Sequence, residues 1–118
     1  MTGVQTCALP IWFTLVASSG SDSVTALTVT TANTDAIASV EIWNNAETIQ
    51  YFTTDSTPNG NLWEFSGGTA IPVSTTEATF VVRFTAKSHA TLPSPIEYAV
   101  TGTVTSYTCA NQIGRAHV

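Results

Sequence analysis

The chain has 118 residues, enough for one domain, and only three Lys and Arg stand against eight Asp and Glu, for a net charge of −5. So few basic side chains exclude a surface that neutralises nucleic-acid phosphates or anionic lipid headgroups. The sequence contains no long apolar run of the length that spans a bilayer, so we expect no membrane insertion by this chain.

The two ends of the chain resemble one synthetic sequencing adapter translated from opposite strands. Permitted codon choices make MTGVQTCALPI (1–11) and IGRAHV (113–118) complementary in shifted frames. We therefore expect both ends to be artefacts and 12–112 to be a single domain, cut from a larger protein. Cys109 is then the one cysteine of that domain, and it is either unpaired or bonded to a partner outside the fragment.

The segment 12–112 is dense in Thr, Ser, Val and aromatic residues, which favours strands. A turn is predicted at 19–22, a hairpin turn at 44–47, a loop around Pro58-Asn59-Gly60 and a strand end at Gly67-Gly68. The predicted strands are 13–18, 23–31, 38–43, 48–53, 62–65, 78–87 and 96–107, with an edge or connecting segment at 71–73 and a bulge or bend at Gly102.

Alternating side chains within these strands predict one buried face for each. The predicted core consists of Leu27, Val29, Val40, Ile42, Phe80, Val82, Phe84 and Val100. Short strands separated by turn signals at regular spacing indicate an all-β fold. We expect a two-sheet antiparallel immunoglobulin-like sandwich of about seven to eight strands.

Three runs carry a family resemblance: SVTALTVTTANTDAIASVEIWNN, TEATFVVRFTAKSH and EYAVTGTVTS. They resemble the immunoglobulin-like or fibronectin-type modules repeated along bacterial and archaeal cell-surface proteins. The resemblance implies an extracellular or cell-envelope location, with neighbouring domains of the same chain as partners. The sequence lacks the paired inter-sheet cysteines of antibody domains, so it does not resemble that branch.

Few residues suggest a catalytic, metal-binding or ligand-binding site. His89 is the one histidine of 12–112, and nothing in the sequence marks it as a base beside a nucleophile, so we expect no catalytic residues and no cofactor. Asp22 and Asp35 are predicted in loops on either side of one strand and are the candidate calcium ligands, although their spacing matches no known calcium loop. Trp43 and Trp63 are candidates for stacking on sugar rings; the alternative is that both seal the edges of the core or an interface.

The sequence favours a non-enzymatic structural or adhesive module, serving as a spacer, stalk or surface repeat that contacts neighbouring domains. A carbohydrate-binding module of a secreted enzyme, with a surface glycan as partner, is the first alternative. A phage or viral surface β-domain is the second.

Overall fold

The structure is a computed structural model that describes residues 11–87 and 102–110. Within these residues the chain forms eight strands and one short 3-10 helix, Thr34–Ala36. The strands are β1 (Ile11–Leu15), β2 (Ser21–Thr31), β3 (Ile37–Asn44), β4 (Gln50–Asp55), β5 (Leu62–Phe65), β6 (Ile71–Ser74), β7 (Ala78–Ala86) and β8 (Gly102–Cys109).

The strands form two antiparallel sheets of four strands each, which confirms the predicted all-β sandwich. The first sheet has the order β1-β7-β3-β4. In the second sheet β2 is central. Because residues 27–30 of β2 pair with both β5 and β8, and Val24 pairs with both β6 and β8, β5 and β6 follow each other along one edge of β2 while β8 covers the other.

The core lies between the two sheets, in one cluster that draws side chains from both. Seven of the predicted core residues are fully or almost fully buried: Leu27, Val29, Val40, Ile42, Phe80, Val82 and Phe84. Val100 lies outside the described residues. The period-two pattern therefore identified the inward faces of β2, β3 and β7 correctly.

Two strand boundaries at the start of the chain differ from the prediction. β1 covers Ile11–Leu15 rather than 13–18. It ends early because the chain then crosses towards the second sheet, where the backbone N–H of Ala17 donates to the Ser74 carbonyl at 2.7 Å. β2 begins at Ser21 rather than Ser23, because β6 supplies a partner for its first residues.

The hairpin between β3 and β4 is confirmed, but β4 starts two residues later than predicted. The side-chain oxygen of Asn44 accepts from the backbone N–H groups of Thr48 and Ile49, at 2.8 and 3.0 Å. Because these two N–H groups bond to the Asn44 side chain, they do not bond to a neighbouring strand, and β4 begins at Gln50. β5 has the predicted bounds. β7 ends one residue before the predicted Lys87, and the part of the predicted last strand before Gly102 lies outside the described residues.

Gly102 opens β8 where the two sheets approach each other. A Cβ atom there would lie 2.8 Å from Cζ of Phe84 and 3.3 Å from Cγ2 of Thr31. The glycine is therefore required by the packing of the Phe84 ring. The residues before Gly102 lie outside the described ones, so the bulge or bend stays a prediction.

Candidate functional site

The two calcium candidates lie too far apart to share an ion. Asp22 is a buried strand residue, 7% exposed, at the start of β2, whereas Asp35 lies in the 3-10 helix beyond the other end of that strand. At the rise of a β-strand, the intervening length of β2 separates them by about 30 Å. Among the residues that the structure describes, no three His, Cys, Asp or Glu side chains gather as a metal site would need.

The placement of Asp22 in a loop was wrong, because β6 pairs with this part of β2 and buries the carboxylate. One of its oxygens accepts from the Ser23 backbone N–H at 2.7 Å. Cys109, on β8, pairs with Val24, which lies two residues after Asp22 on β2. Burial of the thiol and the negative charge of Asp22 both raise the pKa of Cys109, so the thiolate needed for nucleophilic chemistry is disfavoured.

The two candidate tryptophans have opposite environments. Trp63 is 0% exposed, and its indole Nε1–H donates to Oγ1 of Thr31 at 2.8 Å inside the core. A fully buried ring cannot stack on a sugar, so Trp63 fits the alternative, a residue that seals the core: on β5 it takes the inward position, as Phe65 does. Trp43 lies on the outer face of the first sheet and is partly exposed, as the alternation of β3 predicted. His89 lies outside the described residues.

A second tryptophan, missed in the sequence, joins Trp43 on that face. Trp12 on β1 pairs with Val81 on β7, and Val81 pairs in turn with Trp43 on β3. Directly paired residues point to the same side of a sheet, so the two indoles flank Val81 on the outer surface. Trp12 is 62% exposed. We call this surface, formed by Trp12, Val81, Trp43 and their polar neighbours, the indole face.

Val81 shows that the indole face is more than two separate exposed rings. It is only 1% exposed although its neighbours in β7, Phe80 and Val82, point into the core. An outward valine this well covered has other side chains packed over it, and Trp12 and Trp43 are its paired neighbours on the two flanking strands. The sequence analysis did not single out Trp12, because the predicted first strand began at Phe13. Its place beside Trp43 depends on the pairing of β1 with β7, for which the sequence carries no signal.

Polar side chains hold Trp43 in place. The indole Nε1–H donates to Oε1 of Glu41 at 2.9 Å, and the guanidinium carbon of Arg83 lies 5.0 Å from the indole ring centroid, in cation–π range. Arg83 also pairs with Glu47, its Nε 3.3 Å from Oε1. Beyond Glu41, Thr54 donates to its other oxygen at 3.2 Å, and Nε2 of Gln50 donates to Thr54 Oγ1 at 2.8 Å.

A shallow groove adjoins the indole face at the seam between the sheets. It has a volume of about 360 Å³, and its walls are β1, including Trp12 and Thr14, and the start of β8, including Thr103. Trp12 thus borders both surfaces. Ile11, which also lines the groove, is the last residue of the end predicted to be an artefact, so that predicted boundary falls inside β1.

No protein-family model matches the chain, and neither the curated proteins nor the solved structures contain a significant match. None of the helical residues in the described ranges forms a segment able to cross a bilayer.

Proposed function

We propose that the chain is a non-catalytic structural module of an extracellular or cell-envelope protein, a spacer, stalk or surface repeat that carries load between neighbouring domains. The observation that supports this role best is the direction of its first and last described strands. β1 runs antiparallel to β7 and β8 antiparallel to β2, and each of the two makes its described ladder with a different sheet.

The strand directions place the two ends of the described fold apart. β2 runs towards the 3-10 helix, so its antiparallel partner β8 runs away from it. β3 also runs away from the 3-10 helix; β7 is antiparallel to β3, and β1 is antiparallel to β7. β1 and β8 therefore both run away from the end of the sandwich that holds the 3-10 helix. Tension pulling β1 and β8 in opposite directions loads both ladders along the strand axes. Shear of this kind strains several hydrogen bonds at once, whereas peeling breaks them one at a time.

The second ladder is reinforced by hydroxyl groups. Oγ1 of Thr30 lies 2.9 Å from Oγ1 of Thr105, and Oγ1 of Thr25 donates to the Thr108 carbonyl at 3.3 Å. These contacts join β2 to β8 on the solvent side, while Leu27, Val29 and Val104 hold the same strands to the core. Membership of the immunoglobulin-like or fibronectin-type surface modules is part of the proposal, and the two-sheet antiparallel architecture supports it.

Single-molecule stretching tests the load-bearing role. The chain is pulled first between marker domains fused at its two ends, which loads β1 and β8 in shear. It is then pulled between the end after β8 and a handle at Asn45→Cys, in the β3–β4 turn. Cys7→Ser and Cys109→Ser are present in both proteins, so the handle is the one cysteine. The turn and the last residues of β8 lie at the same end of the sandwich, so the second geometry peels the sheets.

We expect a single rupture at clearly higher force in the first geometry. Equal rupture forces in the two geometries would contradict a load-bearing role. As a control, Thr30→Val with Thr105→Val removes the hydroxyl contact without removing the ladder, and it should lower the force in the shear geometry only.

A further inference from the structure

We propose that the indole face binds a neutral oligosaccharide whose flat ring faces stack on Trp12 and Trp43. This inference goes beyond the mechanical role, and a module could have either property without the other. It replaces the pair of tryptophans suggested by the sequence, because Trp63 is buried and Trp12 takes its place.

The spacing of the two indoles fits an extended ligand. Trp12 and Trp43 belong to strands separated by one intervening strand, so their backbones lie about 10 Å apart. Two sugar rings with one ring between them in an extended oligosaccharide can each cover an indole at that separation. Val81 lies between them in the sheet and is only 1% exposed, so the surface between the two tryptophans is closed and leaves no gap.

The ring of Trp43 is already fixed before a ligand arrives. Its N–H is bonded to Glu41 and its ring contacts the guanidinium of Arg83, which Glu47 holds from the other side. A side chain held in this way loses little conformational freedom on binding, which favours affinity. A ring that merely closed the edge of the core would not need two polar partners on the solvent side.

Polar groups beside Trp43 suit hydroxyl groups. The Glu41 carboxylate accepts from Trp43 and Thr54, and an ionised carboxylate has further lone pairs to accept from sugar hydroxyls. Gln50, paired with Trp43 in register, donates from Nε2 to Thr54, and the oxygen of its amide can accept from a hydroxyl group. Apolar surface with a few fixed polar groups is the usual composition of a small-molecule site.

The charges of the face favour an uncharged ligand. Arg83 is paired with Glu47, and Glu41 adds a further negative charge, so an acidic sugar would be repelled while a neutral one meets no unpaired cation. Binding of a neutral ligand should therefore depend little on salt concentration.

The experiment titrates the full chain with cellohexaose, xylohexaose and chitohexaose, and with oligogalacturonate as the acidic probe. Tryptophan fluorescence and calorimetry give the dissociation constant. Trp12 and Trp43 should respond to the ligand, whereas Trp63, fully buried, should not. The variants are Trp12→Ala, Trp43→Ala and Trp43→Phe, and the matched control is Tyr107→Ala, an exposed aromatic residue on the other sheet.

We expect at least one neutral probe to bind with no change between low and high salt, and oligogalacturonate not to bind. Each alanine variant should weaken binding by about tenfold or more, the effect of losing one stacked ring. Trp43→Phe should retain part of the affinity and Tyr107→Ala all of it. Circular dichroism checks that each variant is folded. If Trp43→Ala unfolds, the test rests on Trp12→Ala, whose residue lies at the edge of the sheet.

Two results would overturn the site. One is the failure of all three neutral probes to bind at millimolar concentration, and the other is unchanged binding in Trp12→Ala. Either leaves the stretching experiment unaffected, because that experiment depends on the ladders of β1 and β8 and not on the outer face of β3.

Discussion

Trp63 shows how one polar atom shapes the inside of this sandwich. Its indole N–H donates to Thr31, whose hydroxyl lies 2.9 Å from that of Thr34, and Thr34 donates to the side-chain oxygen of Asn61 at 3.1 Å. The three bonds form a chain from the core to the surface, in which each hydroxyl both accepts and donates. A tryptophan is thereby buried completely without an unsatisfied N–H.

Removing the acceptor at the start of this chain should be costly. Thr31→Val keeps the shape of the side chain but leaves the buried indole N–H without a partner, so we expect a loss of about 1–3 kcal/mol in the free energy of unfolding. Urea denaturation followed by circular dichroism measures it. Thr30→Val, which removes an exposed hydroxyl from the next residue of the same strand, should change it by about 0.5 kcal/mol or less. Equal effects of the two substitutions would contradict the role of the Trp63 bond.

Cys109 gives a prediction about pH at the same scale. Burial, and secondarily the Asp22 carboxylate, raise the pKa of its thiol, so at mildly alkaline pH the protein holds less thiolate than a free cysteine. Asp22→Asn removes the charge and keeps an oxygen that can accept from the Ser23 N–H. With Cys7→Ser in both proteins, so that Cys109 is the one reacting thiol, we expect the pH profile of alkylation by iodoacetamide to move to lower pH in the Asp22→Asn variant. A profile that stays in place, or moves to higher pH, would show that Asp22 does not influence the thiol.

Among the elements, β4 departs most from a regular strand. Phe52 has a left-handed backbone with φ of 60°, and the strand register with β3 shifts between Val40 and Ile42, so Tyr51 and Phe52 are both buried although they are neighbours. Tyr51 meets the ring of Phe80, while Phe52 meets that of Phe65, on the second sheet. The bulge thus lets one strand contribute aromatic rings to both sheets.

Gly68 makes this bulge possible. Backbone N–H groups of Phe52 and Thr53 donate to the carbonyls of Thr69 and Gly67, which brings the two segments together. Gly68 has φ of 86°, and a Cβ atom there would lie 2.9 Å from the Thr53 nitrogen. Both the backbone conformation and the available space therefore require glycine at this position.

Alanine substitutions at the two adjacent glycines should differ in their effect on stability. Gly68→Ala forces a clash with backbone atoms and should cost about 1–3 kcal/mol. At Gly67 a Cβ atom would meet nothing closer than the Thr53 hydroxyl at 3.8 Å, so Gly67→Ala should change stability by about 0.5 kcal/mol or less. Thermal melts of both variants provide the comparison, and a Gly67→Ala protein as unstable as Gly68→Ala would refute this account of the bulge.

The elements also show what sequence can predict here. β2, β3 and β7 were predicted closely because each alternates between apolar and polar residues, and β5 because the loop around Pro58-Asn59-Gly60 and the pair Gly67-Gly68 bound it. The bulge in β4 was not predicted, since Tyr51-Phe52-Thr53 fits a regular strand equally well. The indole face was half predicted: the alternation of β3 turned Trp43 outward, but the partnership with Trp12 depends on strand pairing between β1, β7 and β3. The buried position of Trp63 depends likewise on which face of β5 meets the core, which its four residues do not determine.

At the scale of the whole molecule, the two sheets share one interior. The buried cluster includes Phe13, Val40 and Phe80 from the first sheet and Leu27, Trp63 and Ile71 from the second. Neither sheet has a separate core among the described residues, so neither can keep its inner face dry after the other unfolds. Such an arrangement favours unfolding in a single cooperative step.

This shared interior predicts that a cavity in either sheet destabilises both. Phe80→Ala should lower the free energy of unfolding by about 3–5 kcal/mol and Leu27→Ala by about 2–5 kcal/mol, large parts of the roughly 5–15 kcal/mol that a domain possesses. In a background with Trp12→Phe and Trp43→Phe, Trp63 is the one remaining tryptophan, and its fluorescence reports on the second sheet. Urea transitions followed by this fluorescence and by far-ultraviolet circular dichroism should coincide in both variants. A Phe80→Ala protein whose circular-dichroism transition moves to lower urea while Trp63 fluorescence keeps its original midpoint would mean that the sheets unfold separately, and the sandwich would then be two weakly coupled layers rather than one folded unit.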